Sequence, residues 1–348
     1  MPHSSLFAKS PPRPSARVIG AGVAGLTAAF ELARRGAEVE LIERGESPGR
    51  GCSFYAGGML APWCEGESAE PLIVRLGQEA LTYWTQTIPV AKRAGSLVVA
   101  PARDKPELAR FARRTSAHEA IESDSITVLE PDLAGRFDRA LFFAQEAHLD
   151  PRAAVAELGR RLAAMPNVTL RFGSATAPNR NVDWSLDCRG LAARDALPDL
   201  RGVKGEMLVL ETHEIALSRP VRLLHPRWPI YIVPRGSGRF MLGATMIENE
   251  RAGHVTARSA MELLNAAYAL HPAFAEAEIV EFGSDLRPAF PDNLPRIRKN
   301  GRTLYINGLF RHGFLLAPAL ARMAAEIVFA NAVFPEVMDA DQRERQTV

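Results

Sequence analysis

The sequence contains little cysteine, and the cysteines it has form no metal or redox motif. Cys52, Cys64 and Cys188 make no Cys-x-x-Cys pair and no other metal-ligand spacing. An odd number of scattered cysteines suits a reducing compartment, where thiols stay free. We therefore expect a cytoplasmic protein that binds no metal.

The chain also lacks a strong charge of either sign. Its 42 Lys and Arg residues nearly balance its 40 Asp and Glu residues, and only 7% of its residues are aromatic. No basic patch with interleaved aromatic residues occurs, so a nucleic-acid partner is not expected. Charge alone therefore indicates no macromolecular partner.

Long uninterrupted apolar runs are absent as well. The most apolar long stretch, residues 314–334, contains Arg322 and Glu326. It therefore predicts a buried helix and no membrane span. The first fifteen residues lack the apolar core of a signal peptide and predict a flexible tail. Because that segment is basic and rich in serine, a short transit peptide is the alternative.

What is present begins with a dinucleotide-binding pattern over residues 16–44, which predicts a strand, a tight turn, a helix and a second strand. Gly20, Gly22 and Gly25 complete G-x-G-x-x-G within it. The first glycine permits the turn, the second lets backbone approach a pyrophosphate, and the third lets helix and strand pack closely. Glu43 ends the second strand, where an acid accepts hydrogen bonds from a ribose. We therefore expect an adenine dinucleotide at this turn.

Periodicity predicts further elements along the chain. Asp150 is the expected N-cap of a helix that has Pro151 in its first turn. Further helices are expected over 70–95, broken near Pro89, over 105–115 and over 256–270, with Thr256 as N-cap. Strands are expected at 96–101, 126–132, 140–144, 168–172, 182–188, 203–211, 229–234, 239–244, 279–288 and 304–307.

After Glu43 the chain enters a loop rich in glycine and small residues, GESPGRGCSFYAGGMLAP. A dinucleotide fold followed by an A-G-G-M-L-A-P-type loop resembles the D-amino-acid oxidase family of flavoproteins, and within it the thiamine-pathway glycine oxidases. The resemblance covers residues 16–333, with its strong motifs at the two ends and between Tyr231 and Met246. It implies non-covalent FAD, since sarcosine-oxidase-like members attach flavin to a C-terminal cysteine and no cysteine follows Cys188.

The resemblance and the nucleotide pattern together assign the FAD-binding residues. They are Gly20, Gly22, Val23, Ala24, Gly25, Glu43, Arg44, Cys52, Ser53, Gly57, Gly58, Met59, Thr176, Gly308, Leu309, Phe310, Arg311, His312, Gly313, Phe314 and Leu315. The chain departs from the family pattern around Thr176, where the connection between two strands is short. It departs again at His312, where Asn or Asp is common.

An amino-acid oxidase must hold a carboxylate in place, and arginine offers a planar double donor for it. Arg287, in R-P-x-x-P-D, matches the family's carboxylate-binding arginine. Read from composition alone, it is a surface arginine paired with Asp285 or Asp292. Tyr231 matches a family tyrosine that donates to the same carboxylate, and Met246 matches a residue that lines the site.

Arg311 and the helix that follows Gly313 resemble the family's closing motif, G-x-x-R-x-G-x-x-L-A-P. The resemblance implies that Arg311 lies near the flavin, as a further catalytic residue. The positive end of the helix dipole beside the ring would favour its reduced, anionic form. His312 is expected to be structural, with a general-base role as the alternative.

The predicted fold class is α/β, and α+β overall. A Rossmann-like FAD-binding domain is expected to combine with a substrate-binding domain built on a mainly antiparallel sheet. We expect the FAD domain over 14–83, 141–202 and 292–337. The substrate domain is then expected over 84–140 and 203–291, with flexible tails at 1–13 and 338–348.

These predictions lead to one main function and two alternatives. The main one is an FAD-dependent oxidase that converts glycine or a similar small amino acid and O₂ into imine or glyoxylate, ammonia and H₂O₂, in thiamine biosynthesis. The first alternative is a D-amino-acid or N-methyl-amino-acid dehydrogenase that passes electrons to a quinone or carrier. The second is a non-catalytic flavin-binding subunit. The family also includes homo-oligomers, although no feature of this sequence demands one.

Overall fold

The computed structural model describes residues 13–174, 181–225 and 229–339. Its strands are β1 (Ser15–Ile19), β2 (Glu38–Ile42), β3 (Met59–Leu60), β4 (Ser96–Val99), β5 (Glu119–Glu122), β6 (Arg139–Phe143), β7 (Ala147–His148), β8 (Val168–Arg171), β9 (Trp184–Asp187), β10 (Arg201–Glu211), β11 (Val221–Leu223), β12 (Ile230–Gly236), β13 (Arg239–Gly243), β14 (Glu278–Ala289), β15 (Arg296–Asn300) and β16 (Thr303–Asn307). Its helices are α1 (Val23–Arg34), α2 (Pro62–Glu65), α3 (Pro71–Thr82), α4 (Lys105–Arg114), α5 (Ser123–Leu129), α6 (Pro151–Ala163), α7 (Ala257–Leu270) and α8 (Gly313–Ala330).

The first of two large sheets has the strand order β15-β16-β9-β1-β2-β8. Strand β15 is antiparallel to β16, and the other neighbours in this sheet are parallel. Two glycines allow the first unit of this sheet, β1-α1-β2, to form. Gly20 turns the chain at a φ of +98°, and a Cβ at Gly25 would lie 1.8 Å from the Gly20 carbonyl oxygen. Only glycine therefore allows α1 to start this close to β1.

Helix α8 is the apolar centre of this half of the molecule. It packs against both α1 and α3. Its 18 residues are long and apolar enough to cross a membrane, but 72% of them are buried inside the protein. Its composition is therefore explained by its position in the core, as the sequence predicted for residues 314–334.

The second large sheet has the order β14-β10-β13-β12-β11-β4-β6-β5. Its neighbours are antiparallel apart from the parallel pair β4 and β11. Strands β12 and β13 are joined by a tight hairpin turn, where Ser237 and Gly238 have φ values of 52° and 74°. Positive φ at both central residues gives the turn the twist of the strands it joins. The fold class predicted from the sequence is confirmed by these two sheets and their helices.

Most predicted elements are present, and one is wrong. Asp150 caps α6, accepting hydrogen bonds from the backbone N of Arg152 and Ala153. Residues 126–132, predicted as a strand from their β-branched residues, instead lie in α5 and the 3₁₀ turn that follows. Ile126 is fully buried while Val128 is 81% exposed, so a single face of this short helix meets the core. Strands β5, β11 and β15 were not predicted, because their apolar alternation is too short to stand out.

The domain limits remain a prediction, and the structure shows which elements and contacts those limits would divide. Strand β6 crosses the expected limit between residues 140 and 141. At the C-terminal limit, the Asp339 carboxylate accepts a hydrogen bond from Arg296 at 2.9 Å and also pairs with Arg298. Apart from Arg13, Met338 and Asp339, both expected tails lie outside the described residues.

Candidate active site

A cavity of about 630 Å³ lies between the two large sheets. Its floor on one side is the carboxyl edge of β1, β2 and β9, and on the other side it reaches β10, β12 and β14. Open α/β sheets bind their ligands outside the carboxyl ends of the strands. The cavity is therefore continuous from the nucleotide turn to the second sheet.

The nucleotide end of the cavity is made largely of backbone. Gly22 is the N-cap of α1, and the Val23 amide beside it donates to the Ser53 hydroxyl at 3.0 Å. A Cβ at Gly22 would meet only the Ser53 hydroxyl, at 3.4 Å, so the turn leaves the cavity open above the helix N-terminus. The Glu43 carboxylate accepts from the backbone N of Ala21 at 2.7 Å and of Gly45 at 2.9 Å. An anion-binding helix end and an acid at the end of β2 fit the pyrophosphate and ribose of FAD.

The glycine-rich loop after Glu43 forms the middle wall. Its residues 52–55 form a 3₁₀ helix, and Cys52 faces the cavity. Burial raises the pKa of Cys52 to about 12, helped by the nearby Asp285 carboxylate, so its sulfur stays a thiol. Backbone at Gly57 lies against Tyr231, because a Cβ there would be 2.6 Å from the tyrosine ring. The loop thus brings backbone close to the second sheet.

The closing segment after β16 forms the opposite wall. Gly308 and Phe310 both have positive φ, and the turn they make leads into α8 at Gly313. The first amides of α8 therefore lie at the cavity. A helix N-terminus carries partial positive charge, which favours negative charge in front of it.

Arg311 lines this wall but is already partnered. Its Nη2 lies 2.8 Å from the Glu65 carboxylate and 2.8 Å from the Ser68 hydroxyl. Glu65 also pairs with Arg222 at 2.8 Å, and the same carboxylate lies 2.9 Å from Nε2 of His312. Burial opposes the ionisation of Glu65, but the two guanidiniums and His312 hold its pKa well below its usual range. Glu65 is therefore an ionised centre that holds this wall together.

His312 lies behind the wall and does not line the cavity. It is 6% exposed, and burial lowers its pKa despite the neighbouring Glu65 carboxylate. The enclosed imidazole contacts Glu65 and does not face the cavity, and the structural role expected for His312 stays a prediction.

At the second sheet, Arg287 and Tyr231 face the same part of the cavity. The Arg287 guanidinium donates to the Thr245 carbonyl at 3.0 Å and forms no ion pair among the described residues. The two carboxylates offered as alternatives are engaged elsewhere. Asp292 pairs with Arg296, and Asp285 accepts from the backbone N of Leu286 at 2.7 Å. Burial lowers the pKa of Arg287, an uncompensated cation facing open space.

Most of the residues predicted for the cofactor line this cavity. They are Gly20, Gly22, Val23, Ala24, Glu43, Arg44, Cys52, Ser53, Gly57, Leu309, Phe310, Arg311, Gly313 and Phe314. Six others lie behind the lining, namely Gly25, Gly58, Met59, Gly308, His312 and Leu315. Thr176 lies outside the described residues. Ser174, the last residue described before that gap, lines the cavity.

Met246 was expected to line the site, and the structure does not bring it there. Its side chain is 57% exposed, and it is absent from the cavity wall. Its neighbours explain this, because Thr245 bonds to Glu206 and Ile247 bridges to Lys204. Met246 lies between these two anchored residues, outside the regular strands, and its side chain is left exposed to solvent.

Several residues that line the cavity were not predicted from the sequence. They include Arg50, Tyr55, Arg189, Gly205, Glu206, Asp285 and Asn307. One signal was available, since Gly205 and Glu206 put a glycine and an acid inside a predicted apolar strand, where both residue types are unfavourable.

Comparisons with known proteins agree with this geometry. The family model of FAD-dependent oxidoreductases named DAO matches residues 16–327. A Rhizobium etli protein named as the thiamine biosynthesis oxidoreductase ThiO is 56% identical, covering 92% of this chain and 98% of its own length. A glycine oxidase of Bacillus licheniformis is 29% identical, covering 94% and 96%.

The fold is also found among solved structures. The crystal structure of glycine oxidase from Bacillus cereus superposes with a TM-score of 0.78 at 21% identity, covering 92% of this chain and 96% of that one. The motifs, the cavity between two sheets and the match over residues 16–327 lead to the same assignment. The chain belongs to the DAO family of FAD-dependent oxidoreductases.

Proposed function

We propose that the protein is an FAD-dependent oxidase of glycine or a similar small amino acid, and that it serves thiamine biosynthesis. The observation that carries the proposal is the Arg287 guanidinium, which faces the cavity beside Tyr231 without a carboxylate partner among the described residues. Such a cation calls for an anionic ligand. The names of the Rhizobium etli and Bacillus licheniformis relatives support the same reaction class.

In this proposal Arg287 binds the substrate carboxylate through paired N–H donors, and Tyr231 adds its hydroxyl. A charge-assisted pair of this kind contributes about 1.5–3 kcal/mol. Burial raises the pKa of Tyr231, so its phenol stays protonated and donates a hydrogen bond. The two residues therefore fix the carboxylate end of the substrate and leave its α-carbon directed into the cavity.

Gly22 and the N-terminus of α1 would hold the FAD pyrophosphate, and Glu43 would hold its ribose. When bound, FAD supplies the two-electron acceptor for the hydride leaving the substrate α-carbon. The substrate loses two electrons and two protons to give the imine, and O₂ takes up both to give H₂O₂. Water then hydrolyses the imine of glycine to glyoxylate and ammonia. Arg311, held by Glu65, and the N-terminus of α8 add positive charge at the opposite wall.

Cysteine chemistry supports the proposed cytoplasmic location. Cys52, Cys64 and Cys188 are all free thiols, and burial raises the pKa of each of them. We also propose a homo-oligomer, because the edge strand β14 exposes Ile279, Val280 and Phe282. Light scattering of the purified protein at several concentrations tests that point.

The visible spectrum before and after anaerobic glycine tests the function. We expect yellow protein that bleaches with glycine and regains its colour in air while peroxide forms. Bleached protein that stays reduced in air would instead indicate a dehydrogenase that needs a quinone or carrier. Yellow protein that no small amino acid bleaches would indicate a flavin-binding subunit without turnover.

A further inference from the structure

The Arg287 guanidinium occupies the space where Gly205 has no side chain. In the antiparallel pair β10 and β14, Val203 stands opposite Arg287 and Gly205 stands opposite Asp285. Gly205 is thus the diagonal neighbour of Arg287 on the same face, within reach of a long side chain. A Cβ at Gly205 would lie 2.2 Å from Nη2 of Arg287, 2.3 Å from Cζ and 2.6 Å from Nη1.

Backbone conformation does not account for this glycine. Gly205 is absent from the glycines with positive φ, so a residue with a side chain could adopt its backbone angles. Glycine inside a strand weakens the strand and often marks a place that something approaches closely. Here the approaching group is the guanidinium, because its three atoms are the nearest neighbours of the missing Cβ.

The far side of the guanidinium is held by a fixed acceptor. Nη1 donates to the Thr245 carbonyl at 3.0 Å. The Thr245 hydroxyl accepts from the Glu206 backbone N at 2.9 Å, and the Thr245 backbone N donates to the Glu206 carbonyl at 3.1 Å. The Glu206 carboxylate is itself fully buried and paired with Lys204 at 2.8 Å. Arg287 therefore lies between a glycine and a rigid carbonyl.

We propose that Gly205 is a positioning residue, because its missing side chain sets how deeply Arg287 sits in the cavity wall. The inference rests on the proposed function, in which Arg287 anchors the substrate carboxylate. A side chain at position 205 would push the flexible end of Arg287 off the sheet and into the cavity. The anchor would then lose its carbonyl partner and crowd the substrate it should hold.

The test compares Gly205→Ala with Gly202→Ala in the FAD-loaded enzyme. Gly202 is in the same strand and lies outside the cavity wall, and the three atoms nearest to its Cβ would belong to the side chains of Leu191 and Leu286, at 3.2–3.4 Å. Binding of acetate, a carboxylate without an amine, is measured by calorimetry, and KM and kcat for glycine are measured alongside. We expect Gly205→Ala to weaken acetate binding and raise KM by roughly tenfold or more. Gly202→Ala should stay within about twofold of the wild type.

Folding is checked by the flavin content of both variants, which should equal that of the wild type because only the end of a flexible side chain must move. Loss of FAD from Gly205→Ala would overturn the proposal. So would acetate binding equal to that of the wild type.

A double-mutant cycle shows whether Gly205 acts through Arg287. In an Arg287→Ala background, Gly205→Ala should cause no further loss of acetate affinity, since no guanidinium is left to displace. The same loss in both backgrounds would overturn the inference while leaving the proposed function standing. A wild-type enzyme that binds no acetate and leaves glycine unoxidised would overturn both.

Discussion

The two ends of the cavity are built by different means. At the nucleotide end, much of the lining is glycine and backbone of one continuous segment, from Gly20 to Glu43. At the second sheet, the lining includes charged side chains such as Arg287 and Glu206, which neighbouring strands bring together from positions far apart in sequence. The first end therefore depends on local shape, and the second depends on the balance of buried charge.

The largest expected effect comes from a substitution at the nucleotide end of the cavity, which should abolish cofactor binding. Gly22→Val should leave apoprotein, because its side chain would enter the space that FAD needs above the N-terminus of α1. Flavin absorbance after purification measures this. Gly253→Val is the control, since a Cβ at Gly253 meets nothing within 4 Å. Full flavin occupancy in Gly22→Val would mean that the nucleotide lies elsewhere.

The next largest effect comes from a substitution at the second sheet, which should weaken substrate binding and leave the cofactor in place. Arg287→Ala should raise KM for glycine roughly ten- to a hundredfold through loss of a charge-assisted pair, with the flavin spectrum unchanged. The exposed Arg258 in α7, whose side chain is 83% exposed, supplies a matched Arg258→Ala control. Steady-state kinetics with both variants decide the matter. A KM equal to that of the wild type would remove Arg287 from the site.

A third prediction concerns Glu65, whose carboxylate pairs with Arg311 in the cavity wall and with Arg222. Glu65→Gln removes the carboxylate partner of Arg222, whose side chain is 15% exposed, and of Arg311, whose side chain is 30% exposed, which should lower the free energy of unfolding by about 2–3 kcal/mol at neutral pH. The pKa of Glu65 is lowered in the folded state, so its contribution is present above the usual glutamate pKa and is lost as pH falls below it. Denaturant titrations should therefore show the two proteins converging below pH ~4. A gap that stays constant with pH would contradict this.

The last prediction concerns Glu146, whose contribution to stability has the opposite pH dependence to that of Glu65. Burial raises the pKa of Glu146 to about 7, while its carboxylate accepts from the Cys64 amide at 2.8 Å. A raised folded pKa means that its contribution is present at acidic pH and is lost as pH rises through about 7. Glu146→Gln should thus match the wild type more nearly at pH 5 and be more stable than the wild type near pH 8, by about 1–3 kcal/mol. Thermal unfolding at the two pH values checks this, and equal differences at both would contradict it.

The sequence predicted the two ends unequally, for physical reasons. Strand β1, the glycine turn, α1 and β2 follow from local periodicity and steric demands, which a single segment displays. Glu65 carries no such local signal, and Gly205 and Glu206 are marked only as unfavourable residues in a strand, because the roles of all three depend on partners such as Arg311 and Arg287 that only the folded chain brings near.

Among the residues expected around the substrate, the family resemblance named two that line the cavity beside the second sheet and one that does not. Arg287 and Tyr231 line the cavity, and the family motif was the only feature of the sequence that favoured them over ordinary surface and strand positions. Met246 matched its motif equally well, yet it lies on the exposed face. A motif match fixes position along the chain, and the pairing of its neighbours decides which way a side chain points.

The strand order has a consequence for synthesis of the protein on the ribosome. The strands of the second sheet all lie between Ser96 and Ala289, whereas the first sheet needs β15 and β16 and its core needs α8, the last helix described. The substrate-side sheet can therefore complete its pairing while the nucleotide-side sheet, begun first, still waits for the end of the chain. Until α8 emerges, the apolar faces of α1 and α3 that it covers have no partner. During synthesis, the half of the protein that contains β1 and α1 therefore depends on α8 to complete its core.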